Sequence, residues 1–155
     1  MAAATPSVLD KFYTGELGFM VTSVRNGIHD ALERELAPFE LTTPQYVVLN
    51  CLARGWGRTP SDFCRVLAYD SGAMTRLLDR IVAKGFIRRV ENEADRRSHL
   101  IELTELGHAA LPQAFAATDV VMRRLLAGFS EDDAQTLHLL LSRLLVNAQH
   151  GQKTD

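Results

Sequence analysis

The segment Ser71-Gly72-Ala73-Met74-Thr75-Arg76 carries the residues best suited to chemistry, and that chemistry is hydrogen bonding to a polyanion. Two hydroxyls and one guanidinium stand among small side chains. At the head of a helix, small residues let the backbone approach a DNA major groove. Ser71 and Thr75 can then bond phosphates or base edges, and Arg76 can fork onto guanine O6 and N7. The helix N-terminus itself favours phosphate. Gly72 and Ala73 join this DNA-binding set, as do the hydroxyls of Thr59 and Ser61 at the head of the preceding helix. The plain alternative is an ordinary helix start whose Arg76 pairs with Asp79 or Asp70.

A second group lies in the polar stretch Glu91–Ser98. Arg96 and Arg97 stand at or near its tip, where arginine suits insertion into a narrow minor groove of enhanced negative potential. Asp95 cannot bind phosphate, so its expected role is to shape the loop, by pairing with Arg89 or by capping backbone amides. The alternative is a solvated run of charge. Between Arg54 and Arg97 the chain holds ten basic and six acidic residues, whereas the whole protein carries a net charge of −2. A basic middle between acidic ends suits a polyanion-binding module on a neutral or acidic scaffold.

These residues need elements to position them. Apolar side chains at steps of three and four predict a long first helix over Ser7–Leu36, closed by Pro38. At ~1.5 Å per residue it would span about 45 Å, too long to be buried within one small module. Gly15, Gly18 and Gly27 each weaken it by about 1 kcal/mol relative to alanine. A second helix starts near Thr43–Pro44, bears Tyr46, Val47, Leu49, Cys51 and Leu52, and stops at Gly55-Trp56-Gly57. Thr59 or Ser61 caps a short third helix, Asp62–Leu67. Asp70 or Ser71 caps a fourth, which runs to Lys84 and ends at Gly85. The period then changes. Phe86–Val90 and His99–Leu103 read as paired strands. Thr104 and Glu105 open a fifth helix to about Ala127, with Pro112 inside it to bend it or remove one bond. Ser130–Asp133 opens a sixth, with a stripe of Leu137, Leu140, Leu141, Leu144 and Leu145.

The expected fold is therefore mainly α with a small β-hairpin. Residues 41–104 form a winged helix-turn-helix, residues 1–37 and 105–150 form a helical dimerisation region, and residues 151–155 form a disordered tail. A two-fold partner would cover the apolar stripes at the two ends of the chain.

With 155 residues and 46% hydrophobic content, the chain can bury a real core. No apolar run nears the ~18 residues of a membrane span, and no secretory leader is visible, so the cytoplasm is the expected compartment. Cys51 and Cys64 read as reduced, buried thiols, and their spacing without a nearby cysteine or histidine cluster does not suggest zinc. No paired carboxylates, nucleophile elbow, phosphate loop or metal cluster appears, which argues against an enzyme and for no cofactor.

The runs Leu41-Thr-Thr-Pro-Gln-Tyr46-Val-Val-Leu49, Ser71-x-x-x-Thr75-Arg76-Leu77-x-Asp79-x-Ile81-x-x-Lys84-Gly85-x-Ile87-x-Arg89 and Asp95-Arg-Arg97-x-x-Leu100-Ile-x-Leu103-Thr104-x-x-Gly107 resemble the MarR family of bacterial transcription regulators. The resemblance is close over about Leu41–Gly107. It implies a homodimer whose terminal helices interlock and whose two winged domains read a pseudo-palindromic operator. It puts Ser71, Thr75 and Arg76 at groove-facing positions, Arg97 at the wing arginine and Asp95 at the wing-shaping residue. It also implies a repressor released by a small aromatic or phenolic ligand, in a pocket near His29, Thr43 and Tyr46. His29 reads equally as a surface or interface residue, and Tyr46 as core. Two alternatives remain. One is a cysteine-based redox sensor of the same fold, although no cysteine lies near the start of the first helix. The other is a winged-helix protein–protein interaction module, which would need an apolar patch on the fourth helix.

Overall fold

The computed structural model describes residues 14–93 and 99–151. Helix α1 spans Thr14–Leu36, and the expected start at Ser7 lies outside the described residues. Its last turn plants Leu36 fully in the core, whereas Leu17, Phe19, Met20, Val21 and Val24 are exposed. A 3-10 turn, Ala37–Phe39, contains Pro38 and ends at Glu40 in the left-handed region. Helix α2, Thr43–Arg54, begins with Pro44 in its first turn and ends at Gly55, whose φ of 68° needs no Cβ. Its buried face is Gln45, Tyr46, Val48, Leu49 and Cys51. Val47 and Leu52 are half-buried and pack against the same core, and Val48, which the sequence reading did not name, is fully buried beside Leu49.

Helix α3, Pro60–Leu67, starts two residues before the expected Asp62. The reason is its cap. Thr59 Oγ1 accepts from the Asp62 amide at 3.2 Å, and Asp62 Oδ2 accepts from the Thr59 amide at 3.0 Å. The reciprocal pair puts Pro60 in the first turn and Ser61 inside the helix, so Ser61 is not the cap. Helix α4, Ser71–Ala83, is capped by Asp70, whose Oδ1 accepts from the Ala73 amide at 2.7 Å. Met74, Leu77, Leu78 and Ile81 form its buried stripe, and Gly85 ends the connection at φ 78°.

Strands β1, Ile87–Glu91, and β2, His99–Leu103, pair antiparallel with Ile87 opposite Leu103 and Arg88 opposite Glu102. The first strand lies one residue later than the expected Phe86–Val90. Phe86 is instead buried in the connection, and its carbonyl accepts from the Thr104 amide at 3.1 Å. Ile87 and Ile101 point into the core. The Ile101 amide also donates to the Arg58 carbonyl at 2.8 Å, which stitches β2 to the chain just before α3.

Helix α5 spans Glu105–Leu125, two residues short of the expected end, and continues through Pro112. Thr104 caps it. Its Oγ1 accepts from the Gly107 amide at 3.1 Å and donates to the Gly85 carbonyl at 2.6 Å. That closeness leaves no room at Gly107, where a Cβ would lie 2.1 Å from the Phe86 carbonyl oxygen. Helix α6, Glu131–Gly151, opens on a Ser130–Asp133 capping pair. It reaches Gly151, the first residue of the expected tail, and residues 152–155 lie outside the described residues. Of its stripe, Leu140, Leu141, Leu144 and Leu145 are exposed. The chain forms two compact units, residues 1–121 and 122–155. The first holds the main core, in which Phe63, Leu49, Met74 and Ile81 are at most 1% exposed. Burying each such side chain contributes about 1.5–3 kcal/mol.

Candidate nucleic-acid interface

The start of α4 is open. Ser71, Thr75 and Arg76 are exposed, and Gly72 and Ala73 are half-buried. Asp70 holds this end in shape. The Ala73 amide it accepts from keeps its carboxyl below the usual range, helped by the Gly72 amide and by the charge of Arg76. Thr75 Oγ1 donates to the Ser71 carbonyl at 2.8 Å. Asp79 receives Arg89 from β1 at 2.6 Å. A Cβ at Gly72 would stand 3.4 Å from an Arg76 guanidinium nitrogen, so the bare glycine leaves that arginine space beside the helix head.

Among the other sequence candidates, Thr59 is committed to its cap and donates its hydroxyl proton to Asp62 Oδ2 at 2.8 Å. It can therefore offer a ligand only a lone pair. Ser61 is exposed on the first turn of α3. Asp62 is pulled down to about 2, chiefly by the Thr59 amide, then by the Thr59 hydroxyl, the Arg58 amide and Arg65, against a smaller opposing effect of burial. Asp95, Arg96 and Arg97 lie outside the described residues. Arg89 donates to Asp79, which fastens the hairpin to α4, and the expected Arg89–Asp95 pair falls on a residue outside those described.

An ion cluster that sequence reasoning missed sits at the base of the hairpin. Glu102 receives Arg58 at 2.5 Å through one oxygen and Arg88 at 3.0 Å through the other. Half of it was within reach, because the strand register sets Arg88 directly across from Glu102. The Arg58 contact depends on the tertiary fold.

Beside α4 lies an open cavity of about 590 Å³, walled by His29 and Glu33 of α1, Thr42, Pro44 and Gln45 at the start of α2, Tyr69, and Ala73, Arg76, Leu77 and Arg80. His29 is among its walls. Thr43 and Tyr46 are not among its walls. The Tyr46 hydroxyl is buried 3.1 Å from Thr118 Oγ1, and the Thr43 amide donates to Glu33 Oε1 at 2.6 Å. The Thr43 hydroxyl is buried without a partner among the described residues. Pro44 and the deeply buried Gln45 supply the α2 part of the wall instead.

A model of the MarR family matches residues 39–98. The multiple antibiotic resistance protein MarR of Salmonella typhimurium is 33% identical over 132 residues, covering 84% of this chain and 90% of that protein. The chain belongs to the MarR family. The HTH-type transcriptional regulator PecS of Dickeya dadantii is 30% identical over 120 residues, covering 76% of this chain and 72% of that protein. A crystal structure of a MarR variant from E. coli complexed with operator DNA superposes with a TM-score of 0.77 at 30% identity, covering 91% of this chain and 99% of that one. This MarR-family protein is a transcriptional regulator with a winged helix-turn-helix fold, and its relatives are regulators rather than enzymes.

Cys51 is 2% exposed, and burial raises its thiol, which disfavours the reactive thiolate. Cys64 is half-buried in α3. Among the described residues, no group of histidine, cysteine and carboxylates is arranged to hold a metal, and no helix is long and apolar enough to cross a membrane.

Proposed function

We propose that the protein is a homodimeric repressor that binds a pseudo-palindromic operator and is released by a small aromatic or phenolic ligand. The observation that carries this reading is the head of α4. Its Asp70-capped N-terminus presents Ser71, Thr75 and Arg76 to solvent, with Asp70 accepting from the Ala73 amide and Asp79 from Arg89. Arg76 can reach a guanine edge, the Ser71 hydroxyl can donate to a phosphate, and the Thr75 oxygen can accept from a base-edge donor. The E. coli relative crystallised with operator DNA supports the same use of the fold. In this reading Arg96 and Arg97 enter the adjacent minor groove, Asp95 shapes the tip, and the protein works in the cytoplasm.

The exposed apolar residues of α1 and α6 support the second half of the reading, in which helices within residues 1–37 and 105–150 bury them against another copy of the chain. The two α4 helices would then lie near 34 Å apart, one turn of DNA. The cavity supports an effector, because Arg76 and Arg80 line it from the same helix that faces DNA. A molecule held there would favour another α4 spacing and shift the population away from the DNA-bound form.

The test is selection of duplexes from a random-sequence pool, followed by titration of the selected duplex with salicylate-like and phenolic compounds. A selected site with two inverted half-sites about ten base pairs apart is expected, with release on ligand addition. No sequence preference would overturn the operator, and unchanged binding across the compounds would overturn the effector.

A further inference from the structure

Helix α4 is packed through one apolar stripe, Met74, Leu77, Leu78 and Ile81, which decides the face turned inward. Directional bonds, the Arg89–Asp79 pair among them, refine the rotation about its axis. One lies at its far end, where Lys84 donates from Nζ to the Glu40 carbonyl at 2.5 Å and to Gln45 Oε1 at 3.0 Å. The same Gln45 oxygen accepts from the Thr42 amide at 3.1 Å and so also caps α2. Gln45 is 3% exposed, an unusual depth for an amide. Its carbonyl is satisfied from two sides, once by backbone and once by a cation, and charge-assisted bonds of this kind are stronger than neutral ones. Glu40 presents its carbonyl from a left-handed backbone conformation, with φ 56°. Two segments about forty residues apart in sequence are thereby pinned to one ammonium group.

We propose that Lys84 and Gln45 are positioning residues for operator recognition. Their bond fixes the fine rotation of α4 that its apolar stripe leaves open, and with it the direction in which Ser71, Thr75 and Arg76 face, although neither residue touches DNA. This rests on the operator-binding reading above. Lys84 lies thirteen residues beyond Ser71, so it acts through the helix rather than at the groove. Gln45 also forms a wall of the cavity shared with Arg76 and Arg80, so the lock borders the site where an effector would sit.

The test compares wild type, Lys84→Met, Gln45→Met and Gln45→Glu on two probes. One is the tightest duplex that wild type selects from a random-sequence pool, and the other is a shuffled duplex of the same length. Lys84→Met keeps the apolar stem and removes the donors. Gln45→Glu keeps an acceptor for both the Thr42 amide and the ammonium. Preference for the selected duplex is expected to fall about tenfold or more in both methionine variants and to stay within about threefold of wild type in Gln45→Glu. Binding to the shuffled duplex should hold, because it depends on charge rather than on helix rotation. All four proteins are compared well below their melting temperatures. Lys84→Met sits at an exposed position, so it keeps the test open if Gln45→Met fails to fold.

Equal losses on both duplexes for Lys84→Met would make Lys84 a direct phosphate contact and overturn the lock. Unchanged preference would overturn it too. Wild type with no preferred duplex would remove the operator reading itself, a result separable from a wild type whose preference Lys84→Met retains.

Discussion

Arg76 carries the operator reading at the scale of single residues. Its guanidinium has space over Gly72, and Asp79 is already held by Arg89. Replacing Arg76 with alanine should weaken binding to a selected duplex by about 1–3 kcal/mol and relax the preference at one base pair, with the thermal melt unchanged. Fluorescence anisotropy on single-base variants of the duplex reads this directly. Asp62 gives a second residue-level outcome. Its carboxyl titrates near 2 in the fold, below the ordinary ~3.9 of an unfolded aspartate. A lowered folded pKa means that the ionised cap stabilises α3 above pH ~4 and that this contribution fades as pH falls towards 2. Asp62→Asn should flatten the loss of stability across that window, as followed by urea midpoints at each pH. Such caps were legible from sequence because they are local. Thr59 with Asp62, Asp70 with Ala73 and Ser130 with Asp133 each lie three residues apart. The partners of Arg89, Arg58 and Lys84 were not legible, since each bond joins segments that only the tertiary fold brings together.

At the scale of elements, the order of helices and hairpin was readable because the apolar period changes from 3.6 to 2 at β1, with Gly85 marking the break. The errors were of omission and boundary. The reading of α2 left out the fully buried Val48, and the cavity wall falls on Pro44 and Gln45 rather than on Thr43 and Tyr46. The turn between α3 and α4 carries strain that sequence did not announce. Ala68 stands in the left-handed region at φ 52°, where a Cβ costs about 1–2 kcal/mol. Ala68→Gly should relieve it, offset by the greater entropy of an unfolded glycine, for a net gain of roughly 0.5–1 kcal/mol in denaturant melts. The junction of hairpin and α5 behaves oppositely. Gly107→Ala drives a methyl into the Phe86 carbonyl, and a loss of more than about 3 kcal/mol or a failure to fold is expected. A melt within a few degrees of wild type would mean that the junction can open.

At the scale of the whole molecule, the exposed leucines of α6 are the least self-sufficient part of the chain. Leu140→Asp with Leu144→Asp should leave the winged module folded by circular dichroism while shifting the sedimenting mass from twice the 17.2 kDa of one chain to that of a single copy. Binding to a two-half-site duplex should fall with it. A double variant that still sediments as a pair would place the interface elsewhere. The ion pairs of the module have their own reach. Arg58, Arg65, Arg88 and Arg89 each already face a carboxylate of the same chain. Cations neutralised at home displace few condensed sodium or potassium ions from a duplex. The logarithm of affinity should therefore decline with the logarithm of added potassium chloride less steeply than the arginine tally of this segment would suggest. Discrimination between sequences would then survive ionic conditions that strip more diffusely basic proteins from DNA.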